Sequence, residues 1–196
     1  MAIKKPSHFS PDLSNERLEV IARALLDIRH TTIRELNSKY DSNYSREGTA
    51  FERSRNLLID MCLEKGHDWL RLASSAMDVT FRIGSIPCRF FRDDPESPKK
   101  RGFFKRNLVD NLFATDEGEP VMWRFVVERA ETDEDEDRVH LIGFNAFQEK
   151  VSQWTFGDSI RSLHSVDKEV PVAKSLRPAA VGLLDDEAAS DEAVSE

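Results

Sequence analysis

The chain has 196 residues, 39% hydrophobic and 33% charged, enough for one core beneath a heavily charged surface. It contains no run of about 18 apolar residues, which excludes a transmembrane helix and membrane insertion by one. The net charge of −8 is uneven: residues 131–137 and 185–196 each hold six acids and no base, and without them the remainder carries +4.

The first twelve residues are basic, lack the apolar stretch of a secretory leader and read as a flexible N-terminus. A helix is expected from a cap at Asp12 or Ser14, with Leu18, Ile21, Ala22, Leu25, Leu26, Ile28, Ile33 and Leu36 at helical spacing to about Tyr40. Asp41, Ser42 and Asn43 break it. A second helix is expected after Ser45, with Ala50, Phe51, Ser54, Leu57, Leu58, Met61 and Cys62 as its stripe and Gly66 closing it. The two make an antiparallel helical hairpin whose helices are long for a DNA-reading helix-turn-helix. Asp68 suggests the cap of a third, short helix through Leu70, Leu72, Ala73 and Ala76.

Val79, Phe81 and Ile83 then alternate with Thr80 and Arg82, the period of a half-buried strand. Gly84-Ser85 suits a type II′ turn, which sets Ile83 against Ile86, Phe81 against Cys88 and Val79 against Phe90. The other face of this hairpin carries Thr80, Arg82, Pro87, Arg89 and Phe91. Pro87 argues for an edge or bulged position for the second strand. After a turn-rich basic loop, Asp93 to Arg101, a helix is expected over Phe104 to Phe113. Alternation returns in Val121–Glu128 and Arg138–Phe144, joined by an acidic, solvated tip, and a third meander strand is expected over Val151–Phe156. A short helix from Asp158 through Ile160 and Leu163 would close the body.

This pattern predicts an α+β fold: an N-terminal antiparallel helical hairpin packed on an antiparallel sheet of about five strands with one inserted helix. It divides the chain into a flexible segment 1–12, a helical region 13–77, a β-rich region 78–164 of the same compact domain, and a linker and acidic disordered tail 165–196.

The chemistry-bearing motifs are sparse. The five histidines share no metal-ligand spacing, and neither a GxSxG elbow nor a phosphate-binding glycine loop occurs. No catalytic residue, metal site or cofactor is assigned. Cys62 and Cys88 stand alone and read as reduced thiols of a cytoplasmic protein. The strongest surface signal is basic: Arg82, Arg89, Arg92, Lys99, Lys100, Arg101, Lys105 and Arg106, interleaved with Phe91, Phe103 and Phe104. Cations neutralise phosphates and exposed rings stack on bases, so these eight are the candidate nucleic-acid contacts. The apolar residues on more than one face of the first helix favour another reading. There the protein is a non-enzymatic regulatory or inhibitory binding module that meets a protein partner, or a second copy of itself, through the helical hairpin. RNA or DNA binding is the alternative, and a small nuclease or hydrolase with an unlocated site the second alternative.

Overall fold

The hairpin turn fixes the centre of the structure, a computed structural model that describes residues 3–64, 66–105, 118–130 and 136–157. Gly84 takes φ +58° and Ser85 does not share the positive φ, as a type II′ turn requires. A Cβ at Gly84 would overlap the Asp12 carboxylate, whose Oδ2 accepts a hydrogen bond from the Ser85 N–H at 3.1 Å. The turn joins β2 (Thr80–Ile83) to β3 (Ile86–Arg92) with Ile83 opposite Ile86 and Phe81 opposite Cys88, the register read from the alternation.

Among the described residues the sheet has six strands in sequential order: β1 (Leu70–Ser74), β2, β3, β4 (Met122–Glu128), β5 (Arg138–Phe144) and β6 (Lys150–Phe156). All neighbours are antiparallel except β3 and β4, which run parallel with Cys88 opposite Trp123 and Arg92 opposite Val127. The architecture is the expected α+β class with one more strand than anticipated. The extra strand is β1, where a short helix had been expected. Leu70 and Leu72 pair with Ile83 and Phe81, so burial against β2 prevails over the helix propensity of the leucines and alanines.

β3 is central rather than an edge. Pro87 is tolerated because it lies opposite Arg82 in a pair adjacent to the hydrogen-bonded pair that closes the turn, so its nitrogen faces away from β2. On its other side the ladder to β4 begins only at Cys88.

Two long helices precede the sheet, α1 (Asn15–Glu35) and α2 (Asn43–Leu63). Ser42 caps α2, its hydroxyl accepting from the Ser45 N–H at 3.1 Å. The helices cover one sheet face, α1 over β5 and β6 and α2 over β1 and β2. Leu18, Ile21, Leu25, Leu26 and Leu58 close against Phe81, Cys88, Phe90, Phe125 and Leu141 in one core. Leu25 and Leu26 are both buried there, so the expected second stripe of α1 is largely absorbed by the fold.

The opposite face is covered as well. Phe103 and Phe104 lie over Phe91, Val126, Ile142 and Phe144 in a second apolar cluster, with Phe103 and Phe144 edge to face at 5.6 Å. The N-terminal residues, expected to be flexible, lie along β6: the Lys4 N–H donates to the Val151 carbonyl at 3.1 Å, and the Gln153 N–H donates to the Lys4 carbonyl at 3.2 Å. The helices expected over 104–113 and 158–163, most of the acidic tip and the C-terminal tail fall outside the described residues. Cys62 and Cys88 are thiols rather than halves of a bridge, and burial pushes the Cys62 thiol up to about 11.

Candidate functional site

Strand alternation decides which side chains reach the helix-covered face. Phe90 and Val127 point there, and two residues on from each are Arg92 and Arg129. The parallel pairing of β3 and β4 brings both arginines to the same end of the sheet. Asp137 reaches that end from the start of β5. Arg29 comes down from α1 and Glu47 from the first turns of α2.

These five side chains form one ion cluster. Arg29, 4% exposed, donates from Nη1 to Glu47 Oε2 at 2.8 Å and from Nη2 to Oε1 at 3.3 Å. Its Nε donates to Asp137 Oδ2 at 2.6 Å. Asp137 also accepts from the Ala130 N–H at 2.9 Å, so this last residue of the acidic tip is anchored rather than solvated. Arg92 Nε lies 2.7 Å from Glu47 Oε2, yet its N–H is not aimed at the carboxylate and makes no hydrogen bond. Arg129 sits at 3.9 Å from Glu47 Oε1 and donates to Asn43 Oδ1 at 3.3 Å. Among the described residues, three guanidinium groups thus share two carboxylates.

The imbalance divides the arginines. For Arg29, burial works against the charge, but the hydrogen bonds to Glu47 and Asp137 outweigh it and raise its pKa. For Arg92, burial is the leading cause of a lowered pKa, and repulsion from Arg29 and Arg129 adds to it against the pull of Glu47.

A cleft of about 640 Å³ opens beside this cluster, between α2 and the end of β3. Phe51 and Phe90, stacked at 5.5 Å, floor it together with Phe91. Tyr44 and Met77 stand on its rim, 90% and 72% exposed. Arg92, Lys100 and Arg101 line its other side. A second, more polar hollow of about 370 Å³ adjoins it, and Arg92 and Lys100 line both. The size suits a side chain or a small ligand. Among the described residues, no serine, cysteine or histidine lines the larger cleft. Its two carboxylates, Glu47 and Asp78, are held by arginines.

The loop carrying the exposed cations is built, not loose. Asp93 Oδ2 accepts from the Lys99 and Lys100 N–H groups at 2.9 and 2.7 Å. Asp94 Oδ1 accepts from the Glu96 N–H at 2.8 Å. Lys99, Lys100, Arg101 and Lys105 are exposed, and Arg82 is half-buried. Arg89, 2% exposed, pairs with Asp78 and donates to the carbonyls of Gly102 and Lys105 at 3.2 and 2.8 Å. It is an internal cation. Arg106 lies outside the described residues. The structure therefore brings Arg92, Lys100 and Arg101 together at one cleft, while Phe103 and Phe104 belong to the opposite face.

Arg29, Glu47, Arg129, Asp137, Tyr44, Gly48 and Met77 did not stand out in the sequence. Two of them carried a signal. Arg29 and Glu47 occupy positions of the buried stripes of α1 and α2, where a charged residue implies a buried partner. His140 is a satisfied core group rather than a ligand: its ring nitrogens lie 3.0 Å from Thr155 Oγ1 and 2.9 Å from Glu128 Oε2. Burial is the main cause of its lowered pKa. No cluster of metal-ligating side chains occurs among the described residues, nor does any described helix have the length and apolarity to cross a membrane.

The fold and cleft together define an α+β protein with an aromatic, cation-rimmed hollow at one end of a mixed sheet. No protein-family model, curated protein or solved structure matches the chain.

Proposed function

We propose that the chain is a non-enzymatic regulatory or inhibitory binding module that meets a protein partner at the cleft between α2 and β3, in the cytoplasm. The observation that carries this reading is the exposure of Tyr44 and Met77 at the mouth of a cleft floored by phenylalanines, since large apolar groups left in water beside a hollow mark recognition surfaces. The helical hairpin contributes through the start of α2, which supplies Asn43, Tyr44 and Gly48. A cleft whose carboxylates are each engaged by arginine favours binding over acid–base chemistry. Two unbridged thiols suit a reducing compartment.

Nucleic-acid binding is the second reading, favoured by the exposed Lys99, Lys100 and Arg101 on their braced loop. Burial of Arg89 and Phe103 weakens it, because neither can face a strand.

The test is a pulldown with the full chain from its native cytosol, with and without nuclease, beside a Tyr44→Ser/Met77→Ser double variant. Both residues are exposed, so the variant keeps its fold. The reading expects a stoichiometric protein that survives nuclease and is lost with the variant. Recovery of RNA or DNA, with companions lost on nuclease treatment, overturns it in favour of the second.

A further inference from the structure

This inference rests on the cleft being a binding surface and names what it receives. We propose that the partner segment is acidic, seating a large apolar side chain against Phe51 and Phe90 and a carboxylate on Arg92, where the two hollows meet.

Charge is the first ground. Among the described residues, Arg29, Arg92 and Arg129 share Glu47 and Asp137, which leaves one positive charge within this cluster, and Lys100 and Arg101 stand with it at the larger cleft, while Asp93, Asp94 and Glu128 line the polar hollow. Geometry is the second. Glu47 is already bidentate to Arg29, so its contact with Arg92 is an ion pair without a hydrogen bond. Arg92 Nε is enclosed, but the side chain keeps an exposure of 26%, and a guanidinium with that much open surface matches a carboxylate edge.

Gly48 supplies a third ground. It lies inside α2, where glycine costs about 1 kcal/mol relative to alanine, and a Cβ there would meet nothing within 4 Å. Packing therefore does not require it. Gly48 lines the cleft, and its missing side chain keeps the apolar half of the hollow open beside Phe51.

The same surroundings disfavour a nucleic-acid strand. Asp93, Asp94 and Glu128 line the polar hollow next to Arg92 and would repel a run of phosphates, whereas none of them lines the larger cleft, which also reaches Arg92.

The experiment titrates the isotope-labelled full chain with three capped tripeptides, Glu-Phe-Glu, Gln-Phe-Gln and Glu-Ala-Glu, and with a short oligothymidylate, following backbone amide shifts. Glu-Phe-Glu is expected to move the Gly48 and Arg92 amides. Both other peptides should bind about tenfold more weakly, the effect of one lost charge-assisted contact or one lost anchor. Arg92→Gln should weaken Glu-Phe-Glu by the same factor and leave Gln-Phe-Gln unchanged. Gly48→Leu should abolish all peptide binding. Equal binding of Glu-Phe-Glu and Gln-Phe-Gln, both lost in Gly48→Leu, overturns the carboxylate assignment and leaves the binding surface standing. No binding of Glu-Phe-Glu overturns the inference as well, and the pulldown then judges the surface separately. Tighter binding of the oligothymidylate, with shifts at Lys99 to Arg101, sinks both.

Discussion

Arginines gather in two regions of this molecule, and they do opposite work. Under the 102–105 segment, Arg89 and Arg124 are almost wholly enclosed. Arg124 donates from Nε to the Phe103 carbonyl at 2.9 Å, from Nη1 to the Trp123 carbonyl at 3.1 Å and from Nη2 to the Lys105 carbonyl at 3.4 Å. Both guanidinium groups also lie near the Phe91 ring, at 5.0 and 5.9 Å. At the strand ends, Arg29, Arg92 and Arg129 contend for two carboxylates, and Nε goes without a hydrogen bond in Arg92 as it does in Arg89. The difference lies in the acceptors. Carbonyl oxygens of a covering loop hold a cation and pin the loop, while carboxylates shared among several guanidinium groups leave Arg92 partly open to a cleft.

The largest effect is expected where the cation is structural. Arg124→Met keeps much of the volume but strands the Phe103 carbonyl beneath the aromatic cluster, a buried acceptor without its side-chain donor, while the Lys105 carbonyl keeps Arg89. A loss of about 3 kcal/mol is expected in urea unfolding. A loss below about 1 kcal/mol would mean that the loop carbonyls find water or other donors, and the contrast between the two regions would then fail.

Legibility in the sequence followed the same divide. The β2–β3 register could be read because strict alternation and Gly84-Ser85 are local signals, and local signals fix a two-residue hairpin. The α1 and α2 stripes were equally plain. β1 was not, since Leu70 to Ala76 offers leucine and alanine at spacings that serve a helix as well as a strand, and only the pairing with Ile83 and Phe81 decides. The cleft was hidden for a stronger reason. It depends on β3 and β4 being parallel, which sets Arg92 beside the chain that reaches Arg129. No residue between 93 and 121 announces that crossing. Alternation assigns Arg89 to the outer face of its hairpin, but the segment that buries it comes from residues 102–105, beyond the reach of alternation.

The ion cluster separates its members by a second, smaller pair of effects. Glu47→Gln leaves three guanidinium groups with Asp137 alone and should cost about 2 kcal/mol, less than a fully enclosed pair because Arg129 is half open to solvent. Arg92→Gln removes the surplus charge instead. Because burial and then the neighbouring arginines disfavour the charged form of Arg92 in the folded state, its neutral replacement should change stability by less than about 1 kcal/mol. Paired urea titrations check both. Equal losses for the two variants would show that Arg92 is as structural as Glu47 and would erase the distinction within the cluster.

The smallest effect is the most pointed. Gly48→Ala adds a methyl group into open space on a helix, so it should stabilise the protein by up to about 1 kcal/mol. The thermal midpoint should rise in the free protein. The same methyl narrows the apolar half of the cleft, so a bound partner should lose affinity while the fold gains stability. Opposite signs in the two measurements would be expected of a residue kept small for a ligand rather than for packing. A destabilised Gly48→Ala would instead show that α2 needs the glycine for its own path beside Phe51, and the cleft would then be a consequence of packing, as the Arg124 region is.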